Sequence, residues 1–155
     1  MVARDNEETP VTFAATSVTD SALFRDAFGT PEIRAVFSDQ ALVGRYIEVE
    51  VALARAEAKC GVIPAKAAAD IEARASLEGL DWEKLRHETD NVGYPILPLV
   101  HQLVAQCGEA GRYVHWGATT QDIMDTADVL RVRAGLAVME PVSYTHLTLP
   151  TIYSV

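Results

Sequence analysis

The residues best equipped for chemistry stand in one run, His115-Trp116-Gly117-Ala118-Thr119-Thr120-Gln121-Asp122-Ile123-Met124-Asp125-Thr126. Thr119 and Thr120 fall at a predicted helix N-terminus, and Thr119 with Asp122 makes a T-x-x-D capping pattern. A helix start presents N–H groups without intrahelical partners and a partial positive charge. Gly117 and Ala118 leave room for a ligand to approach the backbone, and a histidine and a tryptophan stand just before them. Such a set makes a chemically sensible cradle for a carboxylate. The residues also admit a plainer account, in which Thr119 is a helix cap and His115 a loop residue.

Helices must position this run. The clearest is predicted after Ser38, a good N-cap, where Leu42, Tyr46, Val49, Leu53, Ala56 and Cys60 recur at steps of 4, 3, 4, 3 and 4. Glu48, Glu50, Arg55 and Glu57 lie largely off that stripe. Gly61 suits a left-handed stop, with Pro64 close behind. Shorter helices are predicted over Ser21 to Phe28, from Thr30-Pro31, over Pro64 to Ala75, and from Asp81 as a cap to about Asp90-Asn91. Pro95 and Pro98 fit the first turn of another, running to Gly108. Gly108 to Ala118 reads as a loop. The last helix starts at Thr119-Thr120, its stripe carried by Ile123, Ala127, Leu130, Ala134 and Ala137. No segment alternates β-branched residues as a strand would, so the fold class is all-α. Two helices of about 20 residues would each span about 30 Å, and the short helices do not suffice to cover their apolar faces. Further chain or partner copies are expected there.

The bulk numbers bound the function. The chain has 155 residues, 49% apolar, with a formal net charge of -9. It can build a core. Its acidity disfavours nucleic acid and anionic membrane surfaces, while leaving room for a small anionic substrate at a local positive site. Cys60 and Cys107 are isolated, without a CxxC, and read as thiols in a reducing compartment rather than a disulfide or zinc site. Residues 1–18 are polar and mixed, a loose leader without the features of a signal peptide. No apolar run approaches the ~20 residues of a membrane span. A soluble cytoplasmic protein needing no metal or cofactor is the expectation.

The His115–Thr126 run resembles the first signature region of the fumarase/aspartase superfamily, in the form found in 3-carboxy-cis,cis-muconate cycloisomerase and adenylosuccinate lyase-like members. Supporting stretches are Phe37-Ser38-Asp39, Val49-Glu50-Val51-Ala52-Leu53-Ala54-Arg55-Ala56-Glu57 and Gly61-Val62-Ile63-Pro64, so the resemblance runs from about Phe24 to Ala134. It implies the N-terminal helical region, residues 19–141, plus the first long helix of a truncated superfamily bundle. It further implies a homotetramer whose sites draw on several subunits. The implied chemistry is β-elimination or its reverse on a small di- or tricarboxylate, through proton removal beside a carboxylate and an aci-carboxylate intermediate. Thr119 and Thr120 match the hydroxyl pair that holds a substrate carboxylate; Gln121 and Asp122 match neighbouring positions. Leu85-Arg86-His87-Glu88 resembles the Arg-His-Asp segment of adenylosuccinate lyases and makes His87 a further binding candidate, although alignment on Leu103 brings that histidine nearer Tyr94. His101 reads as a surface residue.

The family's second region supplies a Thr-His pair and its third a mobile loop with a serine base. Thr145-His146 mimics the second but follows Thr126 by only 20 positions, too early by roughly a helix's length. Residues 142–155 resemble translated sequencing-adapter read-through and are expected to be non-native and weakly structured, with the helix interrupted at Pro141. No catalytic acid or base is therefore assigned, and the chain alone is expected to be inactive. Two alternatives remain: an adenylosuccinate lyase fragment, and a non-catalytic helical interaction module.

Overall fold

A computed structural model describes residues 17–148; the leader reading for residues 1–16 and the tail reading for 149–155 fall outside the described residues. Six α-helices and one 3-10 turn account for the regular structure, with no strand among the described residues.

Helix α1, Pro31–Val36, starts where Thr30 accepts from the Ile33 N–H and Pro31 occupies the first helical position. Helix α2, Asp39–Lys59, starts at Ser38, whose Oγ accepts from the Ala41 N–H at 3.2 Å. It ends at Cys60, followed by Gly61 at φ +73°, a left-handed angle that costs glycine little. Helix α3 spans Ala65–Arg74 and α4 spans Trp82–Val92, the latter capped by Asp81 on the Lys84 N–H. Helix α5, Ile96–Cys107, carries Pro98 in its first turn, where no N–H is missed. A 3-10 turn, Gly108–Tyr113, occupies the first half of the predicted loop. Helix α6, Thr120–Thr148, closes the described chain.

Three sequence expectations need correction. Ser21 to Phe28 forms turns, not a helix: the Arg25 N–H reaches Ser21 O and the Ala27 N–H reaches Phe24 O, without a continuous ladder. The buried face of α2 is also rotated from the predicted stripe. Val43, Tyr46, Ile47, Glu50 and Ala54 are buried, whereas Ala56 and Cys60 are exposed. The reason is that α2 packs against both α3 and α6, which cover a side centred on the 43–47–50–54 line.

The third correction concerns the tail. Helix α6 continues through Pro141 to Thr148, so residues 142–148 are helical, not weakly structured. Proline deletes one ladder bond but need not end a helix whose flanking turns remain bonded. Past it, the Thr145 hydroxyl donates to Pro141 O at 2.9 Å.

The core is one cluster. Leu99 and Leu103 of α5 and Ile123 and Ala127 of α6 are fully or almost fully buried, with Ile71 of α3 and Ile96 beside them. This packing seats the start of α6 against α2. No helix among the described residues is long and apolar enough to cross a membrane.

Candidate carboxylate site

The sequence places a turn and a helix start side by side, and the structure adds a buried acid beneath them. His115 lies in the turn between the 3-10 segment and α6, at φ +59°. A non-glycine residue there carries strain of about 1–2 kcal/mol, so the surroundings must hold it. The hold comes from α2: His115 Nδ1 lies 2.6 Å from Glu50 Oε1. The Glu50 side chain is 1% exposed and that of His115 is 17% exposed. Glu50 Oε2 is buried with no hydrogen-bond partner. Burial pushes the Glu50 carboxyl above its usual range, and the hydrogen bond and charge of His115 pull partly the other way.

Past His115, Gly117 sits at φ +68°, and a Cβ built there would meet nothing within 4 Å. The left-handed angle favours glycine, and the open space leaves the backbone approachable. Trp116 is half exposed beside it, its ring 6.1 Å from that of Tyr113.

The first turn of α6 departs from a simple cap. Thr30, Ser38 and Asp81 each accept the N–H of the residue three on. At α6 the order is reversed: Asp122 Oδ2 accepts the Thr119 N–H at 2.9 Å. Among the described residues, neither the exposed Thr119 hydroxyl nor the half-buried Thr120 hydroxyl has a hydrogen-bond partner. Both are free to meet a ligand, together with first-turn N–H groups that the helix does not use. Asp122 adds a negative charge at this end, but one already turned onto backbone. Gln121 bonds along the helix to Asp125 and does not face the turn.

His115, Thr119 and Thr120 thus gather at one helix start, with Asp122 bracing it. His87 does not join them. It is exposed on α4, which packs on α5, and among the described residues no hydrogen bond or ion pair links it to the α6 start. His101 is exposed, as expected. The missed residue is Glu50, placed largely off the predicted apolar stripe and given no part in the site. Its signal was present: Val43, Ile47, Glu50 and Ala54 recur at steps of 4, 3 and 4, a carboxylate within an apolar line. Among the described residues no group of three or more His, Cys, Asp or Glu side chains is arranged to hold a metal ion. Cys60 is exposed and Cys107 buried, both free thiols.

The turn histidine and the hydroxyl pair at a long helix start lie within a stretch that is similar to the N-terminal region of fumarate lyase superfamily proteins. The homologues and structural neighbours of this chain are members of that superfamily. A fumarate lyase from Mesorhizobium sp. BNC1 is 59% identical with a TM-score of 0.66, the match covering 69% of this chain and 25% of that one. The β-carboxy-cis,cis-muconate cycloisomerase of Acinetobacter calcoaceticus is 41% identical with a TM-score of 0.74, covering 77% and 29%. The N-acetyl-S-(2-succino)cysteine lyase of Dickeya dadantii is 43% identical over 119 residues, 77% of this chain and 26% of the relative. Adenylosuccinate lyases also match. The chain thus spans about a quarter of the length of the relatives it matches. No family model matches it.

Proposed function

We propose that this chain supplies the carboxylate-holding part of a lyase or cycloisomerase that catalyses β-elimination or its reverse on a small di- or tricarboxylate. The carboxymuconate cycloisomerase reaction is the preferred form. The observation that carries the reading is the pair of uncommitted hydroxyls, Thr119 and Thr120, at the start of α6. Proton removal beside a carboxylate drives electrons into that carboxylate, and donors already aimed there lower the barrier without reorganising. A hydroxyl pair and free first-turn N–H groups are such donors. The named activities of the relatives, on succinocysteine and carboxymuconate compounds, all involve a substrate with more than one carboxylate. That common feature fits a site that grips one carboxylate while the chemistry proceeds at the neighbouring carbon.

The proton donor and acceptor belong to parts of the enzyme outside this chain in this reading, so the 155 residues alone leave substrate unconverted. Assembly is as a homotetramer in the cytoplasm. The alternative within the superfamily is adenylosuccinate lyase.

The test is an exchange. Residues 17–140 replace the equivalent quarter of the Acinetobacter cycloisomerase, and the hybrid is assayed on carboxymuconate, adenylosuccinate, argininosuccinate and fumarate. Turnover of carboxymuconate that falls about 10²- to 10³-fold in kcat for Thr119→Ala or Thr120→Ala supports the proposal. A folded, active hybrid indifferent to both changes sinks it. Preference for adenylosuccinate in the complete gene product selects the alternative.

A further inference from the structure

We propose that Glu50 is a positioning residue for His115: it holds the ring through Nδ1 and leaves Nε2 as the nitrogen offered to the substrate carboxylate. The inference rests on the reading of the α6 start as a carboxylate site, and deepens it by assigning a buried acid on α2 that the sequence motif does not contain.

The geometry is specific. The Nδ1–Oε1 distance of 2.6 Å is that of a short hydrogen bond, whose donor is set by the tautomer of the ring. A carboxylate only accepts, so an ionised Glu50 requires a proton on Nδ1. A protonated Glu50 would donate instead and put the ring proton on Nε2. Both arrangements bind the same edge of the ring and leave Nε2 unbound; Nε2 donates to a carboxylate when the ring is the imidazolium beside an ionised Glu50, or the Nε2–H tautomer beside a protonated Glu50. The imidazole orientation is therefore fixed by α2, whatever the proton count of the pair.

Burial argues that the acid is there for the ring. Glu50 occupies the α2 face between Ile47 and Ala54, both buried, where an apolar side chain would fill the space without desolvating a charge. Its second oxygen has no partner, and what the carboxylate gains comes from His115, through the ring at Nδ1 and the backbone N–H of the same residue. The other carboxylate bearing on it is Glu57, further along α2. His115 meanwhile holds a left-handed backbone angle two residues before the open Gly117 and four before Thr119. The acid, the strained turn and the hydroxyl pair form one chain from α2 to the α6 start.

The test reads the ring nitrogens. The 15N-labelled 155-residue chain gives histidine spectra in which His87 and His101, both exposed, serve as internal references. His115 is expected to show a hydrogen-bonded Nδ1 distinct from theirs, and Glu50→Gln, equal in shape, is expected to move the His115 nitrogens while the references stay put. A wild-type His115 that averages both tautomers overturns the proposal, and needs no variant to fold. So does a His115 spectrum identical in wild type and Glu50→Gln. In the hybrid enzyme, Glu50→Gln is expected to lower kcat/KM about 10- to 100-fold, as loss of a carboxylate orienting a functional histidine does elsewhere. If Thr119→Ala cripples the hybrid and Glu50→Gln leaves it unaltered, this inference fails while the carboxylate reading stands. If neither matters, the carboxylate reading itself fails.

Discussion

Glu50 is a buried carboxyl on α2, and burial raises its pKa above the usual range. A carboxyl whose folded-state pKa lies above its unfolded value favours the folded state most when protonated. The folded state binds more protons than the unfolded one, so stability falls as pH rises. The contribution is full below the ordinary value of 4.5 and is lost as pH rises through the elevated folded value. Glu57, also raised by burial, acts in the same direction. Glu50→Gln removes the first of these titrations and keeps an acceptor for His115. The variant is expected to gain stability relative to wild type as pH rises from below 4.5 toward neutrality, and urea denaturation at a series of pH values measures it. A constant difference between the two proteins across that range would contradict the assignment.

The helices are held by caps and by close approaches that tolerate little. Ser38 is a plain cap of α2, and Ser38→Ala is expected to cost about 1 kcal/mol in thermal or urea unfolding. Gly111 is a tighter constraint. A Cβ at that position would lie 2.4 Å from Val104 O, a backbone atom of α5 that cannot swing aside. The 3-10 turn packs directly on α5 because this residue has no side chain. Gly111→Ala is expected to destabilise by about 1–3 kcal/mol, although alanine is the better helix former. The same turn leads into His115, so the variant should also disturb the His115 nitrogen signals. Gly135 plays a gentler version of this role on α6, where the Phe37 ring sits 3.1 Å from a would-be Cβ and the Arg131 guanidinium lies over that ring, 5.3 Å from its centroid.

At the scale of the molecule, α6 is only half used. Its buried line, Ile123 and Ala127 continuing to Gly135, faces α1, α2 and α5. Val129, Val132, Leu136 and Met139 recur at steps of 3, 4 and 3 on another face, and each is at least half exposed. Water contact along such a line is costly, at roughly 25 cal/mol for each Å². The proposed tetramer would cover it. Leu136→Lys is expected to leave the helicity of the 155-residue chain unaltered and to prevent assembly of the complete protein, as read by circular dichroism and light scattering. An intact tetramer carrying this lysine would place the assembly surface elsewhere.

Much of this was legible in the residues. Caps at Thr30, Ser38 and Asp81, the stop at Gly61, and the helix start at Thr119-Thr120 are local events. They depend on side chains a few positions apart, and neighbours in sequence are enough to specify them. The hydroxyl pair and His115 were legible for the same reason. What the sequence could not settle is which side of each helix faces inward, because apolar residues on α2 and α6 cover more than one face and the packing partners make the choice. That choice buried Glu50, exposed Ala56 and Cys60, and left His87 on the surface of α4. Residue types and spacings alone placed the caps, the Gly61 stop and the start of α6 at the threonine pair. Only the tertiary structure decided that a carboxylate 65 positions before His115 would come to lie beneath it, since that meeting depends on α2 docking against the start of α6.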